Sequence, residues 1–267
     1  MSRSQFPRAR EHRDISNRKA LSQNFLRDPH VARDFVVSAD VGPYDLVIEV
    51  GPGDGMVTRP LLDRARRVIA YEKDRHFVER LRSRLGHHEH FRCHQADIRD
   101  VRPPREPFAV VSNAPFGITT DIVRWCLKAQ ALTSATLVTQ LEFARKHTGD
   151  FGRWSRLTVE HWPEFDFTLG MRIGRHEFRP VPQVDAGAIH LRRRPKPLLP
   201  EDAMIDYLDL VDLGFSGVGG SLAASLCRVV PKHTAHRACA EAGIARDRPV
   251  GLVPPDRWIA LFAALTR

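Results

Sequence analysis

Long apolar runs are missing from this sequence. No stretch comes near the roughly 18 consecutive apolar residues of a spanning helix, so none is expected. The basic N-terminus has no apolar core of the kind a secretion signal needs, which points to a cytoplasmic protein. Cysteine is sparse: Cys93, Cys126, Cys227 and Cys239 show no C-x-x-C spacing and read as small buried hydrophobes in a reducing compartment. A histidine-rich run, GHHEHFRCH from Gly86 to His94, fits no standard metal-ligand spacing, so no metal is expected. No internal repeat occurs, which argues against a solenoid or propeller. Acids are outnumbered, 32 against 41 lysines and arginines, for a net charge of +9. That field favours a polyanion, nucleic acid ahead of an acidic membrane surface, unless it reflects only an arginine-biased genome.

What is present is a globular composition, 42% hydrophobic and 27% charged, in 267 residues, long enough for one large domain and a small one. Residues 1–20 are polar and arginine-rich, a basic tail that is either disordered or an arm that touches phosphates. Residues 21–194 read as an α/β domain. Strands are expected at Leu46–Val50, Arg67–Tyr71, Phe91–Gln95, Phe108–Val111 and Ala135–Gln140, and helices at Asp28–Ala39, Met56–Arg64, Arg75–Leu85 and from Thr119 to about Ala129. Phe165–Arg172 and Ala186–Leu191 alternate as an antiparallel pair should, with the proline-stiffened loop Phe178–Asp185 between them. The basic linker RRRPKP, Arg192–Pro197, then marks a boundary. Residues 195–267 predict a small all-α domain, with helices over Glu201–Leu213, Ser221–Val229, Lys232–Ala242 and Pro255–Leu265, and Gly214–Gly220 breaking the first.

The chemistry gathers at strand ends. LVIEVGPGDG, Leu46–Gly55, is an apolar run closed by an acid and a turn in which Gly51, Gly53 and Gly55 let the backbone approach a ligand. The spacing is G-x-G-x-G, not the G-x-G-x-x-G of a dinucleotide site, and Glu49 and Asp54 disfavour phosphate. A cationic, phosphate-free nucleoside fits better, although ordinary tight turns also use glycine this way. Glu72, ending the second strand, can accept from both hydroxyls of a ribose or be a solvated strand-end charge. Asp97 can accept from an adenine amine while Ile98 packs near the ring, or simply cap a turn. Gln23 and Asn24 lie in a polar turn held between Leu21, Phe25 and Leu26.

The second focus is Ser112–Phe116, SNAPF. An adenine amine is a poor nucleophile because its lone pair is delocalised into the ring. Acceptors that take both N–H hydrogens turn that lone pair outward. Asn113 and the carbonyl of Ala114, stiffened by Pro115, suit that task; Phe116 can stack on the base, and Phe178 is a second aromatic wall for an extruded base, unless the turn is ordinary and Phe178 a core plug.

The glycine turn resembles motif I of the class I S-adenosylmethionine-dependent methyltransferases. The longer series LSQNFL, EVGPGDG, YEKD, QADI, NAPFGITTDIV, QLEFARK and FRPVPQVDAG, in order from Leu21 to about Leu191, resembles the rRNA adenine N6-methyltransferases and within them the Erm group. That resemblance implies an α/β, Rossmann-like seven-stranded sheet with a small C-terminal all-α domain. It also implies methyl transfer from S-adenosyl-L-methionine to an adenine N6 of 23S rRNA, conferring macrolide, lincosamide and streptogramin B resistance. By the same resemblance Gln23, Asn24, Leu26, Gly51, Gly53, Glu72, Lys73, Asp97, Ile98 and Asn113 would bind the cofactor, and Asn113, Ala114, Pro115, Phe116 and Phe178 would engage the adenine. The motif departs from many relatives in carrying Ala114 and, in place of tyrosine, Phe116. Small-subunit rRNA adenine dimethyltransferases share the pattern, and a catalytically silent nucleic-acid-binding relative would keep it too. Nothing in the sequence calls for an obligatory protein partner.

Overall fold

The computed structural model describes residues 24–113, 115–217 and 220–266. The chain opens with a two-residue strand β1 (Phe25–Leu26) and helix α1 (Pro29–Ser38), whose N-terminus is capped by Asp28 accepting from the His30 N–H at 2.7 Å. Strand β2 (Leu46–Val50) is buried at every position, Glu49 included, as a mainly apolar strand inside a parallel sheet should be. Helix α2 spans Thr58–Leu62, shorter than the expected Met56–Arg64. Gly51, Gly53 and Gly55 all have positive φ, so the chain is still turning where the helix was expected to start. Strand β3 (Arg67–Glu72) and helix α3 (Arg75–Leu85) follow, the latter capped by Asp74 and burying Phe77, Val78, Leu81 and Leu85.

Next come β4 (Phe91–Gln95), β5 (Phe108–Asn113), α4 (Thr119–Lys128) and β6 (Leu132–Gln140), which starts three residues before the expected Ala135. The segment Leu141–Thr148, legible as either loop or helix, is helix α5, and α6 covers Arg156–His161. Strands β7 (Phe165–Ile173), β8 (Phe178–Arg179) and β9 (Ala186–Arg193) complete the sheets. Seven strands lie in the order β4-β3-β2-β5-β6-β9-β7, with β2 parallel to both β3 and β5. The chain winds outward in opposite directions from β2 and β5, so the carboxyl ends of these two strands flank a topological switch point, where such sheets bind ligands. Phe178–Arg179, expected in a loop, instead pairs antiparallel with Phe25–Leu26 as a separate two-stranded sheet.

Contacts divide the chain into two compact units: the described residues up to Leu141 with Gly170–Ala188, and Glu142–Leu169 with Ile189 onward. The second unit therefore takes in a stretch well before residue 195. It also holds α7 (Met204–Phe215), α8 (Leu222–Leu226), α9 (Lys232–Glu241) and α10 (Pro255–Leu265). Tyr207, fully buried, donates its hydroxyl to the Val159 carbonyl at 2.8 Å, which joins α7 to α6. Gly214 does not break α7, which runs on to Phe215. A Cβ at Gly214 would lie 2.3 Å from the buried Trp258 ring, so here glycine is a packing residue. No helix among the described residues is long and apolar enough to cross a membrane, and no group of three or more His, Cys, Asp or Glu is placed among them to hold a metal.

Candidate functional site

The tips of β2, β3 and β5 are stitched together by short polar contacts. Ser112, fully buried near the end of β5, donates its hydroxyl to the Val50 carbonyl at 2.5 Å and so joins the two strands of the switch point. Glu72, at the end of β3 and only 3% exposed, accepts from the Gly53 N–H at 3.1 Å through Oε2 and from the Asp74 N–H at 2.9 Å through Oε1. Burial pushes its carboxyl pKa up, and these backbone donors pull it back. The glycine loop is closed over by side chains. A Cβ at Gly53, where φ is +56°, would lie 2.3 Å from Phe25 Cε1, and one at Gly51 would meet Pro115 Cγ at 3.1 Å.

Asn113 ends β5. Its Nδ2 donates to the Asn24 carbonyl at 2.7 Å, which fixes the amide, while its Oδ1 is buried with no hydrogen-bond partner among the described residues. A buried acceptor without a donor costs free energy and marks a site where a ligand can supply one. Phe116, half-buried, follows the turn, and the Thr119 hydroxyl donating to its carbonyl at 3.2 Å holds the chain there. The Phe178 ring lies edge-on to Phe116, centroids 6.3 Å apart and planes at 66°. Phe178 is wholly buried opposite Leu26 in the small sheet, so in this structure it supports Phe116 and has no face open to solvent.

Asp97 follows β4 and is firmly held. Arg99 donates to it from Nε at 2.9 Å and Nη2 at 2.6 Å, and Lys73 Nζ lies 3.2 Å away. The Arg99 guanidinium holds the Asp97 carboxyl well below the usual carboxylate range. Lys73 thus enters the site as a partner of Asp97. Ile98, beside it, is buried. Asn24, Leu26, Gly51, Gly53, Glu72, Lys73, Asp97, Ile98, Asn113, Pro115, Phe116 and Phe178 all lie in the first unit; Gln23 and Ala114 are outside the described residues. Phe25 and Ser112 lie inside the motifs without a role of their own there, and Arg99 lies outside every motif.

Behind the glycine loop Glu49 is 1% exposed, and burial, with Glu72 and Asp54 adding repulsion, pushes its carboxyl up to about 8. Its folded value lies above the unfolded 4.5, so its stabilising contribution is complete below 4.5 and is lost as pH rises through about 8. Glu49→Gln should therefore gain on the wild type as pH rises across that window, by up to about 1.4 kcal/mol per pH unit. Urea unfolding at a series of pH values checks this; parallel curves for the two proteins would show that Glu49 is ionised when folded.

A model of the family described as ribosomal RNA adenine dimethylase matches residues 15–267. An rRNA methyltransferase of Streptomyces thermotolerans is 48% identical over 248 residues, covering 93% of this chain and 83% of that protein. The mycinamicin-resistance protein MyrB of Micromonospora griseorubida is 36% identical over 258 residues, 95% of this chain and 79% of MyrB. Among solved structures, the 23S rRNA methyltransferase ErmE matches with a TM-score of 0.88 and 45% identity, covering 91% of this chain and 100% of that one. The Erm resemblance carried by the motifs thus extends to the whole fold. With the family model running from residue 15 to the end, the chain belongs to the ribosomal RNA adenine dimethylase family.

Proposed function

We propose that this chain methylates the N6 amine of an adenine in 23S rRNA with S-adenosyl-L-methionine as donor, and so protects ribosomes from macrolide, lincosamide and streptogramin B antibiotics. The observation that carries the reading is the orphaned Oδ1 of Asn113 at the switch point. Resistance is supported by the likeness to MyrB, and the large-subunit target by the likeness to ErmE. A ribosomal substrate puts the enzyme in the cytoplasm.

The residues fit the cofactor on chemical grounds: a buried acid at the β3 tip, an acid after β4 and a bare glycine loop suit a nucleoside with hydroxyls and an amine to donate and no phosphate to repel. Asn24, Leu26, Gly51, Gly53, Glu72, Lys73, Asp97, Ile98 and Asn113, with Gln23, would hold it. When bound, S-adenosyl-L-methionine supplies an electrophilic sulfonium methyl. Asn113 Oδ1 accepts one N–H of the target amine, and the Ala114 carbonyl the other, which turns the nitrogen lone pair out of conjugation. Pro115 restricts the turn that carries them. Phe116 offers a ring for the extruded base, and Phe178 braces it. No strong base is required before transfer, because the amine becomes acidic only after it is methylated.

Incorporation of labelled methyl into purified rRNA tests the proposal. Label in one adenine of 23S rRNA, mapped by reverse transcription, and growth of a sensitive host on a macrolide are the expected results. Binding without transfer, or label in small-subunit rRNA, would refute it. RNA affinity should also fall roughly a hundredfold or more between 50 and 200 mM salt, as counterion release from several phosphate contacts requires. A flat salt profile, read by filter binding, would remove the electrostatic part.

A further inference from the structure

In the second unit, which holds none of the described cofactor or adenine residues named above, one large aromatic stands in solvent on a braced loop. Phe151 is 70% exposed and has φ of +63°, a left-handed conformation that a bulky side chain adopts only at a cost. The loop beneath it is closed at its base: His147 Nδ1 and the Ser155 hydroxyl share a hydrogen bond of 2.6 Å, and the Thr158 hydroxyl donates to the His147 carbonyl at 2.9 Å. Trp154 N–H donates to the Gly251 carbonyl at 2.8 Å, and Gly149 has no side chain where a Cβ would lie 2.2 Å from the Trp154 ring. The Arg145 guanidinium sits 4.7 Å from the Phe151 ring centroid and is itself held by Asp150 at 2.9 Å. One face of the ring is therefore backed by a cation, and the exposure leaves the other open. Exposed Arg153 lies two residues along.

We propose that Phe151 is a stacking platform for an unpaired base of the RNA substrate other than the base that is methylated. This rests on the RNA reading given above. A fixed aromatic ring in cationic surroundings is what single-stranded nucleic acid uses, since every base has a π-face and its phosphates are drawn to the arginines. The ring is held in a conformation glycine would adopt more easily, so the side chain is present against the preference of the backbone.

The test is binding of a hairpin RNA with an unpaired purine-rich loop, and of its stem as a plain duplex, to the full-length wild type, Phe151→Ala, Phe151→Gly and Phe151→Trp. Alanine and glycine should weaken hairpin binding by roughly fivefold to a hundredfold, with the slope of affinity against salt unchanged because no charge is lost. Duplex binding should not change, and tryptophan should restore hairpin affinity. The thermal midpoint of Phe151→Gly should equal or exceed that of the wild type, which separates a binding loss from misfolding. Wild-type hairpin affinity in the alanine and glycine variants overturns the platform and points to a protein partner for this ring. Equal losses on hairpin and duplex overturn it as well. A wild type that binds neither RNA overturns the RNA reading and the platform together.

Discussion

Asn113→Ala should lower methyl transfer to rRNA by about two to three orders of magnitude, the usual loss when one group oriented toward a reacting centre is removed. Cofactor affinity should change only a few-fold. The reasoning is geometric. Asn113 Nδ2 is engaged by the Asn24 carbonyl, so the amide cannot rotate freely, and the remaining oxygen is buried without a donor. An amine that brings N–H groups into the turn satisfies it. Asn113→Asp sharpens the test: it keeps the shape but sets a carboxylate against the Asn24 carbonyl, so the anchor is lost along with the acceptor's aim. Single-turnover methyl transfer beside titration calorimetry distinguishes the outcomes. A loss that lies wholly in cofactor binding would end the amine-positioning role.

Glu72→Ala should weaken binding of S-adenosyl-L-methionine by about a hundredfold or more. The side chain does two things at once in a nearly dry position. It accepts from the Gly53 and Asp74 N–H groups, and in the function proposed here its carboxylate also accepts from the ribose hydroxyls. Each buried donor left without an acceptor costs about 1–3 kcal/mol, so the glycine loop should loosen and the thermal midpoint fall even without ligand. Glu72→Gln separates the two duties, because its one remaining oxygen keeps a single backbone contact and its amide group faces a donor. It should lie between alanine and wild type in both readouts. Affinity in the alanine variant within threefold of wild type would remove Glu72 from the cofactor site.

Much of this arrangement was legible in the residues. Phe108–Val111 is a continuous apolar run and Leu46–Val50 is apolar except for the buried Glu49, the pattern that burial on both faces of a parallel strand favours. The turn chemistry of Gly51–Gly55 and Asn113–Phe116 named the strand ends before their order was known. What was not legible has a common cause. Two-residue strands such as Phe25–Leu26 and Phe178–Arg179 have no periodicity to read, and they pair across some 150 residues of sequence. Phe178, chosen as an aromatic wall, turns out to be closed in by that pairing. The grip of Arg99 on Asp97 depends on side-chain rotamers, and spacing says nothing of those. Propensity makes Gly214 a breaker, whereas the Trp258 ring it accommodates is more than forty residues away.

The second compact unit is assembled from two separate lengths of chain, and its consequence is genetic as much as physical. Three crossings join it to the first, at Leu141, Leu169 and Ala188. An exchange of only the segment after residue 195 would set an imported α7, with its buried Tyr207 hydroxyl, against a resident α6 backbone carbonyl whose position is set by other packing. A chimera of two related genes joined after residue 195 should therefore melt lower than one in which Glu142–Leu169 comes from the same parent as the segment from Ile189 onward.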